Sequence, residues 1–294
     1  VHPETRPSIF NENGYLVLEN FLSVKECDEL YEAGIGLTQN LPNLNQRTIF
    51  STKDPEKQHI IDEYFLNSND KIRYFFEKDA VNDDGSLKVD PKVSLNKVGH
   101  ALHYQHPTFK KYTYNDRIKT LCRKLNLVDP AVVQSMYIFK NPGVGGEVTA
   151  HQDASYLYTE PIPPVGFWIA LEDATIQNGC LWLAKGSHKT GVHRRLLRNL
   201  DINATHFLKY DKEMLVYDES IFTAVPVKKG TCIVLHGLVV HKSAHNNSNK
   251  SRHAYTFHVI EKHNNQYSPQ NWLLEGPEAP FVSLYETKSH SFTY

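Results

Sequence analysis

From residue 130 onward the chain breaks into short β-prone segments separated by turn residues, and this texture limits the fold more than any other feature. Val132–Lys140, Phe167–Glu172, Cys180–Leu183, Phe222–Val227, Gly230–Leu235 and Arg252–Ile260 are each short and apolar. Many short strands at close spacing bury their apolar faces by packing as a sandwich or barrel. The first part differs. Tyr15–Glu19 forms a strand, and Ser23-Val24-Lys25-Glu26 then makes a capping box, with Leu22 and Cys27 at the positions of a hydrophobic staple. Cys27, Leu30, Tyr31 and Gly34 follow at helical spacing, which predicts a helix over 24–36. Residues 40–58 are polar and read as loop, and Ile60–Leu66 as a helical turn or two. Ile72–Phe76 is a strand, Asp84-Gly85 a turn before another short strand, and 96–103 a mixed segment. Ile118, Leu121, Cys122 and Leu125 mark one face of a helix over 114–126. Residues 189–222 have few apolar runs and read as a long insertion, of the kind that serves function or is mobile. No internal repeat, low-complexity tract or linker interrupts the chain. The expectation is one domain over 1–294, α+β and mainly β, with helices flanking it near the N-terminus.

Within the β region, His151-Gln152-Asp153 places an imidazole and a carboxylate two residues apart. Along a strand those two side chains point the same way and Gln152 points away. Two histidines and a carboxylate with open positions form a facial set suited to non-haem Fe(II). A lone His-x-Asp is common, so the pattern needs a third ligand from elsewhere. His236, His241, His245, His253 and His258 are the late candidates. In the last long strand, alternation puts Arg252, Ala254, Thr256 and His258 on one face, and His253, Tyr255, Phe257 and Val259 on the other. That pattern suits a polar lumen with an apolar outer layer. A buried Arg252 needs a partner, and a dicarboxylate entering the lumen suits a guanidinium through bidentate pairing.

Composition narrows the function classes. With 294 residues and 40% hydrophobic, including 14 Phe and 16 Tyr, the chain can bury a large core. A formal net charge of −1 leaves no electrostatic footprint for nucleic acid. No stretch reaches the roughly 18 apolar residues of a membrane span. Cys27, Cys122, Cys180 and Cys232 are scattered without a Cys-x-x-Cys pair, which predicts reduced thiols. Val1–Ser8 has no apolar secretory core, and His290–Tyr294 is not a peroxisomal address. The expected compartment is therefore the cytoplasm. The Asn-x-Ser/Thr triplets at Asn203, Asn246 and Asn249 are then chance matches.

The spacing His151-x-Asp153, His241, Arg252 is similar to that of the Fe(II)- and 2-oxoglutarate-dependent dioxygenases, and within them to the phytanoyl-CoA dioxygenase family. Phe10 with Gly14-Tyr15-Leu16-Val17-Leu18 resembles the family's opening. Asp173 with Asn178-Gly179-Cys180-Leu181-Trp182 and Gly186-Ser187-His188 resembles its central segment. The stretches 70–77, 96–103 and 133–137 resemble one branch of the family, and the similarity spans about residues 10–285. The resemblance implies a double-stranded β-helix (a jelly-roll of two sheets, cupin-like). His151, Asp153 and His241 would bind Fe(II). Arg252 would pair with the distal carboxylate of 2-oxoglutarate, with Ser243 assisting, and Lys97, Met136 and Trp168 would line that pocket. The implied reaction consumes O2, converts 2-oxoglutarate to succinate and CO2, and oxidises a small-molecule substrate, with ascorbate in support. Asp153 argues for hydroxylation, since halogenases of the family lack that carboxylate. Lys185 departs from the pattern, where members often carry Pro, and affects only a turn.

Each residue also has a plainer role. Met136 and Trp168 are core by default. His236 reads as a buried strand residue, His188 as a structural turn residue and His245 as an exposed loop residue. His258 either orients a metal ligand or is a satisfied core histidine. The run His193-Arg194-Arg195-Leu196-Leu197-Arg198 is better explained as a solvated loop face than as a site for coenzyme A phosphates. Two other functions fit the same residues. One is a 2-oxoglutarate sensor or interaction module with little turnover. The other is a Zn²⁺ hydrolase, which gives Arg252 no role.

Overall fold

The computed structural model describes residues 6–43, 47–50, 63–199, 201 and 207–285. The Asn203 triplet, Ile60–Asp62 and the C-terminal His290–Tyr294 lie outside them. Among the described residues, four strands precede residue 101: β1 (Tyr15–Leu18), β2 (Thr48–Phe50), β3 (Ile72–Glu77) and β4 (Leu95–His100). Then follow β5 (Pro130–Ile138), β6 (Val148–His151), β7 (Thr159–Glu160), β8 (Val165–Ala170), β9 (Leu181–Ala184) and β10 (Leu196–Arg198). The last are β11 (Leu208–Tyr210), β12 (Phe222–Val225), β13 (Cys232–His236), β14 (His241–Ser243), β15 (Ala254–Glu261) and β16 (Gln266–Tyr267).

Two sheets carry the fold. The large one runs β1-β13-β8-β15-β5-β4-β3-β2, and the small one β12-β9-β14-β6. This is the mainly β, jelly-roll arrangement expected from the sequence. The first hundred residues contribute more sheet than their texture suggested. β1 joins one edge of the large sheet by pairing Tyr15–Leu18 against Leu235–Cys232, while β4, β3 and β2 extend the other. β3 falls on the strand expected over Ile72–Phe76, whereas Lys97 interrupts the apolar alternation of β4, so period alone misses that strand. β2 likewise falls inside a stretch that reads as loop, and 96–103 resolves into β4 and the short helix Leu102–Gln105. The helix expected over 114–126 is Asp116–Lys124, and a separate helix, Pro107–Thr113, precedes it. Pro107 opens the earlier one, and the Asn115 side chain accepts from the Ile118 N–H to start the later.

The N-terminal helix Val24–Leu37 begins at the capping box foreseen at Ser23 and Glu26. Its buried face, Cys27, Leu30, Gly34 and Leu37, covers the outer side of the large sheet, where Tyr137, Tyr255, Phe257 and Val259 also lie. Burying Leu30 alone contributes about 1.5–3 kcal/mol. The outward row of β15 therefore faces the helical layer, and the inward row Thr256 and His258 is left for a cavity between the sheets.

Candidate active site

The small sheet brings the three candidate metal ligands together. His151 closes β6 and His241 opens β14, and the two are direct cross-strand partners, with ring centroids 4.3 Å apart. Asp153 does not continue the strand. It opens a short 3₁₀ turn, Asp153–Ser155, after an extended Gln152, and this still aims its carboxylate at the two rings. Asp153 Oδ1 lies 3.6 Å from Nε2 of both His151 and His241. His151 Nδ1 donates to the Thr149 carbonyl at 2.8 Å, and His241 Nδ1 to the Val239 carbonyl at 3.1 Å. Each backbone bond fixes a tautomer and leaves an Nε2 lone pair facing the carboxylate. Burial and the neighbouring His151 lower the His241 pKa to about 4, so that ring is neutral and able to ligate at pH 7. Burial disfavours charge on Asp153, but His258 and His241 outweigh it and hold the carboxyl well below its usual range. Three ligand atoms within 4.8 Å of one another, two imidazole and one carboxylate, fit a divalent iron with open positions.

The large sheet supplies the opposite wall. Trp168, Thr256 and Met136 are register partners across β8, β15 and β5, and all three line the cavity. The next inward row is Gly166, His258 and Gln134. Gly166 matters by what it lacks, because a Cβ there would come within 2.9 Å of Asp153 Oδ2. His258 Nε2 lies 3.1 Å from the same oxygen.

Arg252 is 1% exposed and lies just ahead of β15. Its Nε donates to the Gly179 carbonyl at 3.0 Å, and its guanidinium lies 5.2 Å from the centroid of the Trp168 ring. The turn presenting that carbonyl is pinned by Asn178, whose amide donates to the Asp173 and Ser251 carbonyls. Gly179 has φ +89°, and a Cβ there would meet the Ala244 carbonyl at 2.8 Å. Burial lowers the Arg252 pKa only to about 10, so the charge persists at pH 7. Its Nη1 is buried without a hydrogen-bond partner. An orphaned guanidinium nitrogen beside the cavity is what an absent carboxylate would satisfy.

Lys97 and Ser243 also line the cavity. The Lys97 ammonium sits 3.5 Å from the Phe50 ring centroid, and burial lowers its pKa to about 7. Thus Lys97, Met136, Trp168, Ser243 and Arg252 all reach one cavity with His151, Asp153 and His241. Its volume of about 170 Å³ far exceeds the roughly 10–15 Å³ that holds a single water.

Sequence reasoning missed several lining residues. Glu77 is buried, accepts from Asn96 Nδ2 and the Gly146 N–H, and is pushed up to about 7 by burial, against those bonds and Lys140. The Lys140 ammonium donates to the Gly146 and Ala244 carbonyls, and burial lowers its pKa well below the usual value. Tyr156 packs edge-on to His151. The supposed insertion forms the hairpin β10–β11, and its basic run is no solvated face: Arg194 is buried in the cavity wall. Arg195 Nη2 bonds Ser268 and Arg198 Nε bonds the Asn271 carbonyl. Apolar periodicity cannot show that such a run folds inward. The remaining histidines take structural posts. His188 bonds the Asn11 carbonyl, His236 ends β13, His253 bonds the Tyr137 hydroxyl, and His245 is a half-buried loop residue. All four cysteines are free and buried. Among the described residues no helix is long and apolar enough to cross a membrane.

Comparison with known proteins gives the family and the fold. The chain is 48% identical over 282 residues to phytanoyl-CoA dioxygenase domain-containing protein 1 of Danio rerio, covering 94% of this chain and 96% of the relative. It is 43% identical over 275 residues to a phytanoyl-CoA dioxygenase of Arabidopsis thaliana, covering 93% and 94%. Among solved structures it resembles the epimerase SnoN in complex with Fe³⁺, alpha ketoglutarate and nogalamycin RO, with a TM-score of 0.62, 14% identity and coverage of 96% and 98%. It also resembles EctD from S. alaskensis with 2-oxoglutarate and 5-hydroxyectoine, with a TM-score of 0.58, 18% identity and coverage of 94% and 85%. These structures share its fold. The model of the phytanoyl-CoA dioxygenase (PhyH) family matches residues 10–254, and the chain belongs to that family.

Proposed function

We propose that this protein is an Fe(II)- and 2-oxoglutarate-dependent oxygenase that oxidises, by hydroxylation, a small-molecule substrate. The observation that carries this is one cavity holding both a His-Asp-His set and a buried, charged Arg252 whose Nη1 lacks a partner. His151, Asp153 and His241 would hold Fe(II), with Nε2, Oδ1 and Nε2 as donors. Arg252 would bind the distal carboxylate of 2-oxoglutarate, and Ser243, Trp168 and Met136 would position its chain. Iron and 2-oxoglutarate together supply an O2-derived oxidant, with succinate and CO2 as co-products. The chain's part is to orient these groups and exclude water: Trp168 and Leu181 from one apolar cluster and Phe65 and Trp272 from another line the cavity.

The test is succinate formation by purified protein with Fe(II), ascorbate, O2 and 2-oxoglutarate, beside calorimetric titration of 2-oxoglutarate. Turnover above background that is lost in His151→Ala supports the proposal. Failure to bind 2-oxoglutarate would sink it.

A further inference from the structure

The cavity holds a second buried guanidinium that the co-substrate does not need. Arg194 is 8% exposed and lines the cavity through residues other than those around Arg252. It stacks on Tyr210, 4.0 Å from the ring centroid. Among the described residues its guanidinium donates no hydrogen bond and meets no carboxylate. Of the other cations nearby, three have hydrogen-bond acceptors, and Lys97, like Arg194, has only an aromatic ring beneath it. Arg195 bonds Ser268 and stacks on Tyr158, Arg198 bonds a carbonyl, Lys140 bonds two, and Lys97 rests on Phe50. The Arg194 nitrogens are not wholly buried, so a guanidinium without an acceptor opens on the cavity, where a carboxylate can meet it through two parallel bonds.

The wall between Arg194 and the metal ligands is continuous. Tyr156 lies edge-on to His151, with centroids 5.9 Å apart, and hydrogen-bonds Tyr210, on which Arg194 stacks. Leu196 and the stacked pair Phe65 and Trp272, 4.3 Å apart, add apolar surface to the same space. Arg194 thus adds a cation without an acceptor to a largely apolar stretch of wall that His151 reaches through Tyr156 and Tyr210.

We propose that Arg194 anchors a carboxylate of the oxidised substrate, and that this substrate is a small monocarboxylic acid with an apolar body, not a coenzyme A thioester. The inference rests on the oxygenase reading above. A thioester presents several phosphates, and only one guanidinium of the basic run is free to meet them. The carboxylate stays unchanged in the reaction. A C–H bond several carbons away becomes C–OH with one atom of O2. The other oxygen atom enters succinate as 2-oxoglutarate loses CO2. Two electrons come from the C–H bond and two from the keto acid, which balances the four taken by O2.

The test is calorimetry on protein loaded with Mn(II) and 2-oxoglutarate. The probes are 3-phenylpropionate, octanoate, their amides, and octanoyl-CoA. At least one acid should bind tenfold or more tightly than its amide. Arg194→Gln should remove that preference, and Arg194→Lys should restore part of it. Thermal melting checks that each variant is folded. The inference is overturned if neither acid binds, if acid and amide bind alike, if Arg194→Gln keeps the preference, or if octanoyl-CoA binds more tightly than octanoate. The loading step separates the two readings. No binding of 2-oxoglutarate sinks the oxygenase itself, whereas binding without an acid preference sinks only the role of Arg194.

Discussion

His258 Nε2 lies 3.1 Å from Asp153 Oδ2, and this contact leaves Oδ1 as the oxygen that faces His151 and His241. Gln134 Nε2 holds the other side of the imidazole, 3.1 Å from Nδ1. Gly166, the cross-strand partner of His258, clears the space for the carboxylate. His258→Ala should therefore let Asp153 rotate and weaken Mn(II) binding by about 10–100-fold, the usual effect of removing a partner that orients a metal ligand. Gly166→Ala should act in the same direction. Metal titration followed by electron paramagnetic resonance reads both affinity and ligand symmetry. Unchanged affinity in both variants would make the contact incidental.

Arg252 tests the co-substrate assignment separately from the metal. Arg252→Met should lower 2-oxoglutarate affinity by about 2–5 kcal/mol, because a buried charge-assisted pair loses one partner. Arg252→Lys should fall between, since an ammonium keeps the charge and loses the bidentate fork. Mn(II) binding should survive both changes, as Arg252 makes no contact with the His-Asp-His set. A Zn²⁺ hydrolase at the same residues would show no dependence on Arg252, so unaltered activity in Arg252→Met would favour that reading.

The sequence exposed the parts of the site that are local. His151 and Asp153 are two residues apart, and the face alternation of 252–259 already separated Thr256 and His258 from Tyr255 and Phe257. Choosing His241 from five candidates took the family resemblance. The structure supports that choice through a cross-strand pairing of residues 90 positions apart. Glu77, Lys140, Tyr156 and Arg194 were not legible for a related reason. Each is polar, and each lines the cavity beside residues far from it in sequence. Asp153 shows the limit from the other side. Its direction was right, but it comes from a 3₁₀ turn and not from continued strand.

The helix Val24–Leu37 offers a test of the fold. Gly34 sits against Tyr137, and a Cβ there would come 2.0 Å from the Tyr137 ring. Tyr137 cannot yield easily, being fully buried with its hydroxyl bonded to His253 Nδ1 at 2.8 Å. Gly34→Ala gains about 1 kcal/mol of helix propensity. Overpacking should outweigh that, by about 1–3 kcal/mol. Urea unfolding of both proteins measures the difference. A variant at least as stable as the parent would mean that the helix packs farther from the sheet.

Lys97 predicts how stability and ligand binding vary with pH. Burial lowers its pKa from 10.5 to about 7. Below pH 7 both the folded and unfolded chains carry the proton, and the folded chain bears the full penalty of a buried ammonium. Between pH 7 and 10.5 the unfolded chain binds more protons than the folded one at this site, so the penalty fades as pH rises. Replacing the ammonium by a thioether removes it. Lys97→Met should therefore be more stable than the parent by several kcal/mol at pH 6, and the gap should shrink steadily towards pH 10. An anion entering the cavity favours the charged lysine. Binding of 2-oxoglutarate at pH 8 should then take up part of a proton in the parent and less in Lys97→Met. Calorimetry in buffers of different ionisation enthalpy counts that proton, and equal uptake in the two proteins would remove Lys97 from the anion site.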